Sequence, residues 1–538
     1  MTTAPTATPG HEGAAAEVFL VAGILLATLT EAVAGTVLSL GRGNIMGATH
    51  ATPDEFAWLD IGYTTLKLIG FMAAPWLMTR IPPRGVVVGS TLAMGMACGM
   101  AAVTDRLDLL VALRTVQGFA GGILLVGGQT MLFLACPRSR QPALQALFAM
   151  GAVVAPAAIT PAFQGALLDS QSWTWIFFSV VPLALAAAGL LLIADKPMPA
   201  ATASRPFDGL GFALIAVTLF CVTCVLSQGS RWDWFEEPRI LWLTVTGAAA
   251  LLVFLGQQAL MKGQGLLDVS PFESDAFSFA FIVSFVAGAA LFGSAFLIPS
   301  FALSVLAFTP TEAGLLLLPS GALFTGSLLM AAFLIQVRRV PPFATVPFGI
   351  LTITGAMWML SGSTAQSGAD DMMAAILLRG LGLGLLFLSI TLIAFGTLDR
   401  RSLAAGIGLF NTGRQLGGLM GVAALQTLID HDIPANAAVL GANVTAGGPI
   451  LIERLMTTAA TLTAKGLETA TASRVATSLL GRTVTGQSTV IAFDTAFTAV
   501  ALLFVIAAPV LVGIKIGLSR RKMARAARFR GGGGGGDH

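Results

Sequence analysis

Long apolar runs broken by short polar turns fill almost the whole chain. A helix needs about 20 apolar residues to cross the hydrocarbon core of a bilayer. On that measure the pattern predicts spans over residues 17–40, 56–79, 85–104, 107–134, 142–168 and 174–194, then 209–227 and 239–260. Six more follow over 276–302, 312–336, 343–361, 372–396, 402–428 and 491–516. The longest stretch outside the spans, 429–490, reads as helical, with Ile450, Leu451, Leu455 and Leu462 set among Ala and Thr. Residues 1–16, rich in Ala, Thr, Pro and Gly, are expected to be disordered, and Lys196 to Pro206 reads as a linker. The plan is a tail (1–16), a six-helix half (17–195), a linker with two extra helices (196–275), a second half (276–516) and a basic, Gly-rich tail (517–538).

Two internal matches support equivalent halves. Arg80-Ile-Pro-Pro83 recurs as Arg339-Val-Pro-Pro342, an offset of 259, and Leu113-Arg114 recurs in Leu378-Arg379, an offset of 265. Nearly equal offsets are what parallel repeats of six helices produce. With both termini on the cytoplasmic side, 18 of the 30 Lys and Arg residues fall on that side and eight on the other. Positive charge accumulates inside, so this orientation and an even number of spans are expected.

Composition narrows the class. The chain is 55% hydrophobic and 11% charged, with a mean hydropathy of +0.84. A soluble domain carries about 25% charged residues, so the chain is an all-α, polytopic membrane protein. A net charge of +3 gives no reason to expect a nucleic-acid partner. Cys221-Val-Thr-Cys224 has redox spacing but lies inside an apolar run, so packing is the default for all four cysteines, Cys98 and Cys136 included. The four histidines are scattered, no Gly-rich phosphate loop is present, and no cofactor is expected. The first apolar run is too long for a signal-peptide core and has no Lys or Arg before it.

Charges inside the spans are expensive and therefore informative. Glu31 lies halfway along the first span. Burial favours a neutral carboxyl and a nearby cation favours a charged one, so a group so placed can load and release a proton; the rival is a carboxylate permanently paired with a helix cation. Asp60, Tyr63 (the only tyrosine) and Lys67 share one face of the second span. Lys67 can neutralise Glu31 or Asp60, or it can meet an anionic group on a substrate. Gly413, Gly417 and Gly421 share a face that lets a neighbouring helix approach closely, while Asn411, Arg414 and Gln415 point elsewhere and are cavity candidates. The Arg231-Trp232-Asp-Trp234-Phe235 cluster reads as an interfacial anchor.

Arg114-x-x-Gln117-Gly118 and Trp175-Ile176-Phe177-Phe178-x-x-x-Pro182 resemble the fourth- and sixth-helix motifs of the major facilitator superfamily, and within it the fourteen-helix drug:proton antiporters of the EmrB type. Asn411-Thr-Gly413-Arg414-Gln415-Leu-Gly417-Gly418 is similar to that family's penultimate helix. Two places depart from it. The fifth helix reads Thr160-Pro161-Ala-Phe-Gln164-Gly165 with Pro156 one place out of step, and the loop holding Arg80 and Arg84 lacks the usual Gly and Asp. The resemblance implies the facilitator fold, two six-helix halves plus two inserted helices. It also implies proton-driven export of amphipathic small molecules from a bacterial inner membrane. Glu31 aligns with the family's first-helix carboxylate. Arg114 then serves proton transfer with Asp60 nearby, or is a structural Arg bonded to backbone carbonyls, with Arg379 as its counterpart. Gln164 joins the cavity set, Pro156, Pro161 and Gly165 shape the fifth helix, and Arg80 and Arg84 form the gating loop. The 429–490 segment corresponds to one that faces a periplasmic adaptor, and beyond it an outer-membrane channel, in such exporters; a capping helix pair is the alternative. The rival functions are a proton-independent facilitator or a narrow metabolite or siderophore exporter of the same fold and, remotely, a membrane-embedded enzyme or sensor.

Overall fold

The computed structural model describes residues 11–194, 207–261, 268–444 and 448–531, and every regular element among them is helical. The first half comprises α1 (His11–Thr49), α2 (Pro53–Arg80), α3 (Pro83–Ala101) and α4 (Leu107–Ala135). Its fifth span is built from α5 (Gln141–Ala149), a π-helical segment (Met150–Ile159) and α6 (Thr160–Ser170), and α7 (Thr174–Ile193) closes the half. A hairpin of α8 (Gly209–Gln228) and α9 (Pro238–Leu260) follows. The second half runs through α10 (Asp275–Ser304), a bent span of α11 (Pro310–Leu315) and α12 (Leu318–Gln336), α13 (Val346–Leu360), α14 (Ala369–Phe395), α15 (Leu403–Ala442), α16 (Pro449–Ala464) and α17 (Thr469–Gly531).

Twelve of the described segments are long and apolar enough to cross a bilayer. α2 and α15 fall outside that set, and they are the helices that carry Asp60, Tyr63 and Lys67, and Asn411, Arg414 and Gln415. Both lie inside the bundle, α2 along α4 and α15 along α10, and they complete the fourteen. Three boundaries differ from expectation. Residues 11–16, expected to be disordered, form the first turns of α1. The span expected to stop at residue 428 continues as one helix to Ala442, and the last span sits within a single 63-residue helix. Ala435, Ala437, Ala438 and Ala442 carry α15 past the apolar stretch, and an Ala- and Thr-rich run precedes it in α17, so hydrophobic patterning alone misplaces the ends. The linker reading, Lys196 to Pro206, lies outside the described residues.

Local chemistry explains the helix breaks. Thr52 and Glu55 form a capping box at the start of α2, and Thr309 and Glu312 form another at the start of α11. In the fifth span Pro156 has no amide hydrogen and its ring would strike the carbonyl four residues back in an α-helix. The chain widens into a π-helix there, and the Thr160 amide reaches Ala155 O, five residues back. Pro161 then occupies the first turn of α6, where no donor is needed.

The halves repeat the same packing. Gly118 and Gly122 on α4 lie against the α2 backbone at Tyr63 and at Lys67 and Gly70, while Gly380 and Gly384 on α14 lie against α12 at Ser320 and Ser327. Gly413, Gly417 and Gly421 face Phe281, Phe285 and Ala289 of α10, the close approach their spacing predicted. Between the halves, α2 meets α15, α5 meets α12, and α6 meets α11. At this last crossing Gly165 abuts Pro310 and Thr311, and Gly314 abuts Pro161. Asp169 Oδ2 accepts the Thr311 amide at 3.1 Å and the Thr311 hydroxyl as well.

The turn of the α8–α9 hairpin is more than an anchor. Arg231 pairs with Asp54 of the first half at 3.3 Å. Ser230 donates to Asp430 at 2.7 Å and Trp234 Nε1 to Thr427 Oγ1 at 3.1 Å, both on α15 of the second half. The turn therefore straps the two halves together at the end where α2 begins.

Candidate functional site

The first half gathers its charges around α1. Glu31 is 2% exposed. Its Oε1 receives the Tyr63 hydroxyl at 2.9 Å and the Lys67 ammonium at 2.5 Å. One turn separates Tyr63 from Lys67, so α2 presents a neutral donor and a cation to the same carboxylate. Gly35 and Gly121 leave the space for it: a β-carbon at Gly121 would lie 3.0 Å from Glu31 Cγ, and one at Gly35 would lie 2.9 Å from the Tyr63 oxygen.

Arg114 completes this layer from α4. Its guanidinium lies over the Tyr63 ring at 4.1 Å. Nη1 donates to the Ala34 carbonyl of α1 at 2.7 Å and to Gln117 Oε1 at 3.0 Å. Nε and Nη2 of Arg114 and Nε2 of Gln117 have no hydrogen-bond partner among the described residues although all are buried. Buried donors are normally satisfied, so this corner has unmet capacity for an acceptor. Asp60 shares the α2 face with Tyr63 and Lys67, but its side chain is exposed and makes no ion pair among the described residues; the fields of Arg114, Arg42 and Lys67 reach it. Gln164, fully buried, donates to Val33 O at 2.9 Å and Thr36 Oγ1 at 3.0 Å, tying α6 to α1.

The second half is arranged differently. Arg379, the counterpart of Arg114, is 1% exposed. It donates from Nε to Ser294 at 2.8 Å, reaches Ser320 at 3.5 Å, leaves Nη2 unpartnered and has no carboxylate partner among the described residues. Arg414 Nη2 donates to Asn411 Oδ1 at 2.7 Å, and Asn411 Nδ2 reaches Gln129 Oε1 of α4 at 3.3 Å. Gln129 Nε2 continues to Gln145 Oε1 of α5 at 2.9 Å. A polar ladder thus crosses from α15 to α5 through both halves. The sequence pattern alone does not single out Gln129 and Gln145; each is a lone amide in an apolar run, which is the signal that could have found them. Gln415 is half-buried and makes no hydrogen bond among the described residues.

Arg80 stacks on Trp76 at 5.2 Å. Arg84 donates from Nε to Leu191 O at 2.6 Å and from Nη2 to Leu192 O, capping the end of α7 in its own half. The four cysteines are buried and form no disulfide among the described residues, and Cys221 packs against Gly247 of α9.

This arrangement of paired halves, buried arginines on the fourth helix of each and a carboxylate on the first can be set beside known proteins. The Major Facilitator Superfamily model matches residues 20–422. The chain belongs to that superfamily. Among its relatives, the multidrug export protein EmrB of Escherichia coli (strain K12) is 26% identical over 420 residues, covering 78% of this chain and 81% of EmrB. The fatty acid resistance protein FarB of Neisseria gonorrhoeae is 24% identical over 491 residues, 90% of this chain and 94% of FarB. A solved bacterial homologue of the human lysosomal transporter Spinster, inward-facing and occupied, superposes with a TM-score of 0.55 at 13% identity, covering 94% of this chain and 97% of that one. That last likeness concerns the fold. As a superfamily member the protein is a multi-pass membrane transporter of small molecules.

Proposed function

We propose that the protein is a proton-coupled secondary exporter of amphipathic small molecules, with Glu31 as the group that carries the proton and rocking of the two halves as the transport movement. The observation that carries this reading is the Glu31–Tyr63–Lys67 cluster: a carboxylate at the middle of α1, 2% exposed, held by one neutral donor and one cation. Protonating Glu31 releases Lys67 from its partner, which changes the charge pattern at mid-membrane. The functions named for relatives, multidrug export for EmrB and fatty acid resistance for FarB, support efflux of amphiphiles. The bacterial relatives support an inner-membrane location, and the charge bias of the loops supports cytoplasmic termini.

The test is proton release from purified protein in weak buffer on addition of lipophilic compounds. Wild type is expected to release protons, and Glu31→Gln is expected to bind the compound and release none. Equal binding with no release from either would leave the second reading, a proton-independent facilitator. The short Glu31–Lys67 contact favours that alternative, because such a pair can also serve as a fixed structural element.

An adaptor partner belongs to the same proposal. α16 has no buried residue and exposes Ile450, Ile452 and Met456, a surface suited to a periplasmic arm. Export across both membranes that is unchanged after deletion of α16 would remove the adaptor from the scheme.

A further inference from the structure

A cavity in the second half lies between α10, α14 and α15, and Glu31 is not among its lining residues. Its wall includes Leu291, Leu386, Phe387 and Phe410, and its only polar side chains are Ser284 and Arg414. It is closed down to about 10 Å³, the room of a single water molecule.

The two polar groups are both donors. Ser284 is 2% exposed and its hydroxyl has no partner among the described residues. A buried hydroxyl left unsatisfied is costly, and its persistence calls for an explanation. Arg414 spends one nitrogen on Asn411, lies 4.9 Å above the Phe387 ring, and forms no ion pair among the described residues. A hydroxyl and a guanidinium facing one apolar space present donors without an acceptor. Water would satisfy Ser284 but would leave the guanidinium without a counter-charge. A carboxylate would accept from both, and charge-assisted bonds of this type are the stronger ones. The hydrocarbon wall around them suits an apolar tail.

We infer that this cavity is a subsite for the carboxylate head of an anionic amphiphile, such as a fatty-acid-like chain, seated on Arg414 and Ser284. Seating it requires the wall at Phe387 and Phe410 to open. The inference rests on the export reading but not on proton exchange through Glu31, because an inside-negative membrane potential itself drives an anion outward.

The experiment compares three probes of one chain length: decanoate, decanol and decyltrimethylammonium. Binding to purified protein in nanodiscs is measured at neutral pH, with empty nanodiscs as the partition control. Wild type is expected to bind decanoate about tenfold or more tighter than the other two, the ratio expected of a charge-assisted bond. Arg414→Gln is expected to abolish the preference and Arg414→Lys to recover part of it. Ser284→Ala is expected to weaken decanoate several-fold, in keeping with the loss of a single bond, while leaving decanol unchanged. Glu31→Gln is expected to keep the preference, and with one negative charge fewer to strengthen it, because Glu31 lies within the field of Arg414. Equal binding of the three probes to wild type, or a preference that survives both Arg414→Gln and Ser284→Ala, would overturn the subsite and leave Ser284 to a structural water. Should Arg414→Gln not fold, Arg414→Lys and Ser284→Ala decide the matter. No proton release from wild type, with the decanoate preference intact, would sink the exchange reading alone.

Discussion

Removing one partner of the Glu31–Lys67 pair strands a charge in the membrane interior. Such a loss costs about 3–5 kcal/mol in buried pairs, whereas replacing both partners by apolar or neutral groups is often tolerated. Lys67→Met is therefore expected to lower the melting temperature sharply in a detergent thermal scan, and Glu31→Gln/Lys67→Met to restore most of it. A double variant no more stable than Lys67→Met would mean that the pair is not the source of the loss. The cluster was legible in the sequence because Tyr63 and Lys67 share a helix face and Glu31 interrupts an apolar run. Its full membership was not: Asp60 shares that face yet stays outside the pair. The Gln129–Asn411 bond was not legible either: Asn411 stood out as a cavity candidate, but its partner lies 282 residues away and only its isolation in an apolar run marks Gln129.

Among the elements, close helix contacts and breaks decide what the chain tolerates. A β-carbon at Gly118 would collide with the Tyr63 backbone, which cannot step aside as a side chain can. Gly118→Val is expected to destabilise by at least the roughly 1–3 kcal/mol typical of overpacking, and to disturb the Tyr63–Glu31 bond with it; unchanged thermal stability would argue against the tight α2–α4 crossing. The strap between α8 and α9 gives a second expectation. In Asp430→Ala the turn loses its Ser230 bond, and limited trypsin digestion is expected to cut after Arg231 faster than in wild type. Cleavage at the same rate would show that Asp430 does not hold the turn. The apolar pattern located each span because a bilayer demands a length. It could not show that α15 and α17 continue beyond that length, since water-facing helix is specified by propensity rather than by hydrophobicity. The π-helical segment was hidden for a related reason: two prolines mark a disturbance without stating which geometry absorbs it.

At the scale of the whole molecule, the halves touch at both ends, and each transport step must break the contacts at one end. Where α6 crosses α11, Asp169 caps the first turn of a helix in the opposite half. Loss of a cap costs about 0.5–2 kcal/mol, and about 1.4 kcal/mol is a tenfold change in an equilibrium. Asp169→Ala is accordingly expected to raise the population open at that end by about two- to thirtyfold, read as a longer distance between spin labels at Ser170 and Leu315. An unchanged distance distribution would exclude Asp169 as a latch. In the loop after α2, Arg84 caps the end of α7 in its own half.

The chain contains one tyrosine, and the fold places its hydroxyl on Glu31. A phenol is a spectroscopic label that needs no engineering. Isotopic enrichment at tyrosine alone would give a magnetic-resonance spectrum with a single line, free of overlap in a protein of this size. That line would shift when the neighbouring carboxylate changes charge, and again when α1 and α2 move apart. The molecule thus carries a built-in indicator at its centre, able to follow the proton without altering any of the groups that hold it.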